Sequence, residues 1–450
     1  MKQIHEFAGY KVPENISLFQ LTDFAGVSAC HIYMEAQIFT PDSKRFVLHR
    51  SAHPHGSDMN DPEHAYFLCN LENGGKLMKL TTESGVCAPC ISPDGKYFYY
   101  FVRQLEWNGG QIIMKRVDLD GNNLVEIARI DKNTPEFQPA FQMYPLSSIS
   151  SDGEHIAIAS PIRKAESEEF PQHALWVFDA KTGKVNVPIH NHDFCNLHMQ
   201  YSRSIDAARD IMIQHNHGSR SCQSMKDARI VNHVAALDND SGKKLRAITS
   251  SKNPNDNSTG YGADLHVIRD DGSNPRSIPV GRDGVEFCQG HQCWRGDSEW
   301  IISSTLLYRT PDTANQELIE SQAVPGWNHN GKNIPGALRN TLSRKIRPPH
   351  FLHFATERKG DAIVSDYEAD NGEWHLYFGK LGKAGSEPAG LQFILNLGCR
   401  EKSPWHPHPF LSPDGRMAFF NSSETGTLQA YMLRLEEQCA CSEHRNSFTR

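Results

Sequence analysis

Histidines in close pairs set the chemistry this chain could perform. There are 23 of them, and they cluster as His53 and His55; His190, His192 and His198; His215 and His217; His350 and His353; His406 and His408. Imidazole is the commonest metal ligand and the side chain best suited to moving a proton near neutral pH. The sharpest motif is Trp405-His406-Pro407-His408-Pro409-Phe410. On extended chain, residues i and i+2 point to the same side, so both rings can reach one ion. The flanking prolines stiffen the backbone and lower the entropy lost on ordering the ligands. Two further motifs carry a histidine in a comparable setting, Gly290-His291-Gln292-Cys293-Trp294 and Phe351-Leu352-His353-Phe354.

What must position these residues is a repeated strand unit. A short turn containing Asp precedes an alternating apolar run in several places: Ser92-Pro93-Asp94-Gly95 before KYFYYF, Ser412-Pro413-Asp414-Gly415 before RMAFFN, and looser copies at Asp42, Asp152 and Asp297. Degraded copies fall at Asp206 and Asp361. Pro and Gly preset turn geometry, and Asp hydrogen-bonds its own turn. Period-two alternation after each turn marks a strand with one buried face. The copies fall roughly 50 to 60 residues apart, except for one gap of about 90, a period that matches the blades of a propeller. Seven copies predict an all-β, seven-bladed β-propeller, read as a single domain over residues 1–450. Hairpin signals at 117–123, 177–184, 237–244 and 267–274 are expected to join third to fourth strands of blades. Long loops are expected at about 218–262 and 308–349, and such loops often line a site. Radial symmetry then brings the histidines before the turns of three consecutive blades, His291, His353 and the His406/His408 pair, to one end of the central channel.

Other residues are candidates for the substrate side of that channel. Cys30-His31-Ile32-Tyr33 precedes the first turn, and His198-Met199-Gln200-Tyr201 precedes the fourth. His31, His198, Tyr201 and His353 are therefore candidate substrate contacts. After the fourth turn the strand IMIQ ends in His215-Asn216-His217-Gly218, and His215 and His217 compete for the role of general base. His53-Pro54-His55 reads as a loop element near the substrate.

At these residues the chain resembles the oligogalacturonate lyases, polysaccharide lyase family 22. The similarity extends over most of the chain and is strongest at 30–48, 263–278, 290–294 and 406–415. The resemblance implies a seven-bladed propeller holding Mn2+ or another divalent cation on three histidines and a glutamine. His291, His406 and His408 match the three histidines. The glutamine position is occupied by Ser403, which leaves Gln289, Gln292 or water as substitutes. The resemblance also implies a histidine base, for which His217 and His215 remain open. An arginine beside the substrate carboxylate is implied too, with Arg203 as the candidate. The implied reaction is β-elimination on an acidic oligosaccharide of the kind released in pectin degradation. The metal acts as a Lewis acid on the uronate carboxylate while histidine removes the C5 proton.

Composition narrows the alternatives. The net charge of −7, from 53 acidic and 46 basic residues, is spread without a basic block, which argues against nucleic acid. No apolar run is long enough to span a bilayer. The first residues, MKQIHEFAGYKVPEN, hold no apolar signal segment, so a cytoplasmic location is expected. The 11 cysteines then read as free thiols, including the Cys87/Cys90 pair, although a zinc knuckle uses such spacing. Two alternatives to an oligogalacturonate-type lyase stand. One is a lyase for a different uronate-containing glycan. The other is a non-catalytic binding propeller of the periplasmic translocation type, which shares the Ser-Pro-Asp-Gly turns. A propeller peptidase is disfavoured by the lack of a Gly-x-Ser-x-Gly elbow. The residues do not specify an oligomeric state.

Overall fold

The computed structural model describes residues 1–24, 26–50, 52–53, 56–57, 61–106, 108–134, 136–163, 165, 171–192, 194, 196–216, 219–220, 235–237, 244–247, 263–281, 286–308, 314–326, 336–399 and 406–435. It is an all-β, seven-bladed propeller, with only single turns of 3-10 helix and no α-helix among the described residues. The innermost strands of blades 1 to 6 are Ala29–His31, Val86–Ile91, Ser148–Ile149, Gln200–Tyr201, Glu286–Trp294 and Phe351–Thr356. Blade 7 starts at Phe410–Leu411 and continues through Met417–Ser422 and Gln429–Leu435. It is completed by Ile16–Gln20 from the other end of the chain, which pairs antiparallel with Gln429–Leu435. The sheets of blades 4 and 5 are continuous through one antiparallel pairing, Ala263 with Cys288.

The turns after the innermost strands repeat because each satisfies its own backbone. In blades 1, 2, 3 and 7 the hydroxyl of Thr40, Ser92, Ser150 or Ser412 donates to Asp42, Asp94, Asp152 or Asp414 at 2.5–2.7 Å. The same hydroxyl accepts the N–H that opens the next strand, at 2.9–3.1 Å. Blade 6 differs from the sequence expectation. Its turn is centred on Glu357, whose carboxylate accepts the N–H groups of Lys359, Asp361 and Ala362. One longer side chain thus does the work of both the hydroxyl and the Asp, and Asp361 lies beyond the turn.

Two loop readings also change. The stretch 308–349 contains the outer strands of blade 5, Ala314–Gln322 and Arg339–Thr341, so it is not one long loop. The segment between Asp210–Asn216 and Ala263–Arg269 is an insertion in blade 4, and it carries a small sheet of its own. The hairpin at 237–244 joins Ala235–Leu237 to Lys244–Ala247 within that insertion rather than two strands of a blade. The other three hairpins do join third to fourth strands.

Apolar side chains fill the seams between blades. Between blades 7 and 1, Phe410 stacks on Phe419 with ring centroids 5.0 Å apart, and Phe46 closes on Phe419 at the same distance. His31 is sunk among these rings, and burial lowers its pKa to about 3; His173 in blade 3 is lowered to about 3 for the same reason. Both are held neutral in the fold, whereas in the unfolded chain they protonate near the ordinary value of about 6.5. The unfolded state therefore binds more protons between these limits, and stability falls as pH drops from about 6.5 towards 3. Denaturation midpoints measured against pH should fall less steeply in His31→Gln and His173→Gln than in the parent; parallel slopes would count against this account.

Candidate metal centre

The repeat places histidines at one level of the channel. The turn residues Thr40, Ser92, Ser150, Ser202, Arg295, Glu357 and Ser412 are equivalent by their backbone hydrogen bonds. Four residues upstream of each lie Ala36, Ala88, Leu146, His198, His291, His353 and His408. Four consecutive blades, 4 to 7, thus present imidazole at the same position, and blades 1 to 3 present small or apolar groups. His198 and His408 share a left-handed backbone, φ 45° and 46°, and Ala88 has φ 51°, so the bend does not depend on a histidine.

The rings meet in blades 5 to 7. His353, His406 and His408 each offer a ligand nitrogen, and these atoms lie within 4.8 Å of one another. The His353 and His408 ring centroids are 4.3 Å apart, those of His353 and His406 4.9 Å. His291 packs on His353 at 4.2 Å. The close group of three therefore contains His353, which the sequence placed on the substrate side, with His291 as the adjoining fourth ring. His353 is fully buried, and its Nδ1 lies 2.8 Å from Asp366 Oδ2. With Asp366 ionised, that contact holds the proton on Nδ1 and turns Nε2 towards His406 Nδ1, 3.4 Å away. A carboxylate on one ring nitrogen, with the second nitrogen turned to the neighbouring histidines, is the arrangement that orients a metal-ligating imidazole. The donor set, imidazoles with an oriented tautomer on stiffened backbone, fits a divalent transition-metal ion.

Asp366 is itself anchored. It accepts the backbone N–H of His353 at 2.8 Å, while burial pushes its carboxyl well above the ordinary carboxylate range. We expect Asp366→Asn to weaken manganese binding about 10- to 100-fold, the usual effect of losing such an outer partner. Calorimetric titration of the variant with Mn2+ checks this; unchanged affinity would show that His353 needs no orienting group.

Blades 1, 3 and 4 supply the other wall. The Tyr33 ring lies 4.8 Å from His408, 6.1 Å from His353 and 6.2 Å from His198. Glu35 Oε1 is 2.9 Å from His198 Nδ1, and the Tyr144 hydroxyl is 2.8 Å from the same nitrogen. Burial raises the pKa of Glu35, with His198 opposing it, and sets the Tyr33 and Tyr144 hydroxyls well above their ordinary value. The mouth is thus poorly hydrated, which strengthens any electrostatic interaction made there.

Several expected site residues lie elsewhere. His31 is 1% exposed in the seam between blades 7 and 1, with Nε2 at 2.9 Å from the Tyr431 carbonyl, which leaves no face for substrate. Tyr201 is also 1% exposed, and its hydroxyl donates to Asp270 at 3.2 Å within blade 4. Arg203 sits beside the turn, at the opposite end of the innermost strands from the histidines, and donates to the Thr356 carbonyl at 3.1 Å. Burial lowers its pKa. The substrate roles expected for these three are therefore not supported by their positions. His215 stands on the second strand of blade 4, with its ring 5.2 Å from Phe194 and 5.9 Å from His266. His217, Ser403, the side chain of Gln289, and the side chains of the His53–His55 segment lie outside the described residues. Gln292 is fully buried and shares a strand face with Trp294, which packs between blades 4 and 5, so it is directed away from His291. Cys87 and Cys90 are buried, with thiols raised to about 12 by desolvation, as packing residues would be.

The residues not anticipated were Glu35, Tyr144 and Asp366. Counting back from each turn hydroxyl would have exposed the shared register of the four histidines. No comparable signal marks the carboxylates, whose partners are far away in sequence. A second group, Asp152, Glu154 and His155, lies at the blade 3 turn, where the Asp152 carboxylate is already engaged by Ser150 and Glu154.

Comparison with known proteins defines the class by shape. No family model and no curated protein matches the sequence. Among solved structures, an oligogalacturonate lyase from Vibrio parahaemolyticus superimposes with a TM-score of 0.60 at 17% identity, over 97% of this chain and 98% of that one. An oligogalacturonate lyase in complex with manganese gives a TM-score of 0.62 at 16% identity, over 98% of both chains. The chain shares the complete propeller fold of these proteins.

Proposed function

We propose that the protein is a metal-dependent lyase that cleaves short uronic-acid oligosaccharides by β-elimination. The observation that carries this reading is the convergence of His353, His406 and His408 on one point of a buried channel mouth, with His353 oriented by Asp366. The whole-chain likeness to two oligogalacturonate lyases, one in complex with manganese, supports it. His353, His406 and His408 would hold the cation, with His291 at hand as a further ligand. When bound, a divalent cation supplies Lewis-acid stabilisation of charge on the substrate carboxylate.

The chain's own residues do the rest. Asp366 keeps the His353 proton on Nδ1. Pro407 and Pro409 stiffen the backbone and so lower the entropy lost on holding His406 and His408 in place. Tyr33 forms an aromatic wall against the sugar and keeps water out. An imidazole of blade 4 takes the C5 proton as general base, worth about 10²- to 10⁴-fold in rate. The C5–H electron pair becomes the C4–C5 double bond, and the C4–O bond breaks to leave an unsaturated uronide. An anionic sugar suits this site, and a cytoplasmic setting with oligosaccharides already shortened is part of the proposal.

The test is direct. Purified protein is stripped with chelator, reloaded with Mn2+, and mixed with a panel of uronate oligosaccharides while conjugated product absorbance is followed. Metal-dependent product is expected with at least one uronate. No product from any member of the panel, with manganese bound, would remove the lyase reading.

A further inference from the structure

The mouth-side rim of blade 3 borders a cavity outside the metal centre. Strand His155–Pro161 leaves its turn at Asp152 and runs back towards the mouth, so Ile162 and Arg163 stand at the mouth end. Gln172 precedes the next strand, His173–Asp179, in which Ala174 pairs with His190 of Val185–Asn191, so both lie at that end too. The connection from blade 2 completes the rim: the Arg163 N–H donates to the Gln138 carbonyl, and the Ala140 N–H to that of Pro161. The cavity between these segments measures about 440 Å³, and small-molecule sites commonly fall in the range of about 300–1,000 Å³.

Its lining has the parts that an acidic sugar needs. Arg163 Nη1 donates to Gln138 Oε1 at 3.0 Å, which steadies a guanidinium whose planar fork matches a carboxylate. The Phe137 and His190 rings lie 5.1 Å apart and offer an apolar surface for the C–H face of a sugar. His190 Nδ1 donates to Gln172 Oε1 at 2.6 Å, so in the neutral ring Nε2 is an acceptor for a sugar hydroxyl. Glu136 also lines the cavity, exposed and in no ion pair with Arg163, and can accept a hydroxyl as well. The same connection carries Tyr144, six residues beyond Gln138, and Tyr144 meets His198 in the wall of the mouth. Six residues of extended chain span at most about 20 Å, a distance that an oligosaccharide of several units can bridge.

We propose that this cavity is a distal sugar subsite, in which Arg163 takes the carboxylate of a uronate unit remote from the metal centre while Phe137 and His190 support its ring. Its role in choosing longer acidic chains rests on the lyase reading above; the binding itself does not. Each added unit that reaches the rim gains a charge-assisted hydrogen bond and an apolar contact, so affinity rises with chain length. Neutral chains gain only the apolar part.

The experiment titrates the chelator-treated full chain calorimetrically with saturated oligogalacturonates from dimer to pentamer, and with the methyl-esterified pentamer. Parent, Arg163→Gln, Phe137→Ala and Lys96→Gln are compared, the last removing one positive charge at the opposite end of the propeller; melting temperatures check that each is folded. In the parent, affinity should rise from dimer to pentamer. Arg163→Gln should cut that rise about tenfold, the lower end for a hydrogen bond to a charged group, and Phe137→Ala should cut it as well. The esterified pentamer should not distinguish parent from Arg163→Gln. In the manganese-loaded chain the same changes should appear in KM for the longer substrates rather than in kcat. The proposal is overturned if the parent binds pentamer no tighter than dimer, if Arg163→Gln keeps the parent's dependence on length, or if Lys96→Gln or the esterified chain shows the same loss. Product formation without any length effect removes the subsite and leaves the lyase reading standing. Failure to form product from any uronate, with the Arg163-dependent rise intact, removes the lyase reading and leaves a binding site for acidic glycans.

Discussion

Replacing His406 and His408 together with alanine should abolish manganese binding and lower kcat/KM on a uronate oligosaccharide by about a thousandfold or more. The size follows from the task. Lewis-acid stabilisation of developing charge is worth several kcal/mol, and each 1.36 kcal/mol is about tenfold in rate. The pair contributes two of the three closely grouped nitrogens, and His353 alone, however well Asp366 orients it, is not a chelate. Excess Mn2+ should not restore the rate, because the donors themselves are gone. His408 is 3% exposed and packs on Tyr33, so some loss of stability is expected as well; activity and metal content are therefore measured well below the melting transition. A double variant that still binds one equivalent of manganese would exclude this cluster as the metal site.

The largest effect on stability should come from Arg295→Met. Arg295 lies at the blade 5 turn, and its guanidinium pairs with Glu320 on the third strand of the blade, side chains 7% and 0% exposed. Its Nε donates to the Gly360 carbonyl of blade 6 at 3.1 Å, and Nη2 to the Gly382 carbonyl. Methionine keeps much of the volume but leaves the Glu320 carboxylate buried with, among the described residues, the Asn340 side-chain N–H and the Gly385 backbone N–H to answer it. Removing one partner of a buried pair costs about 3–5 kcal/mol, because the remaining charge stays desolvated. Chemical denaturation should show that loss. The same change at Arg129, whose pair with Glu126 is exposed on both sides (side chains 38% and 41%), should cost far less, since water screens the pair. Equal effects at the two arginines would mean that burial is not what decides.

The blades were legible because their turns are local. A hydroxyl, an Asp two residues later and the strand N–H just beyond form a closed unit within six residues, so Thr40 to Arg45 or Ser92 to Tyr97 could be read directly. The blade 6 turn was misplaced to Asp361 because Glu357 meets the same requirement with a different side chain. The cluster of His353, His406 and His408 was legible through repetition, since a radial fold brings equivalent positions together. What could not be read was the direction of each ring. His31 and His353 both precede a turn, yet one is turned into an aromatic seam and the other to the channel. Tyr201 looked like a substrate contact because the buried Asp270 that claims its hydroxyl is 69 residues away. Glu35 was overlooked for the same reason, with its histidine 163 residues distant.

The way the ring closes has a consequence for biosynthesis. Blade 7 needs Ile16–Gln20 from the start of the chain as well as Gln429–Leu435 from near its end. A nascent chain can stack earlier blades as they emerge, domains generally folding in the order of synthesis. The early strand pairs with Lys2–Ile4 on one edge, and its other edge must wait for a partner more than 400 residues later. His406 and His408 belong to that late segment, so no partly made chain carries the complete triad. Any cation that the triad holds can thereby be captured only once blade 7 has been made, and a chain truncated before blade 7 should be both open at its seam and unable to retain the ion.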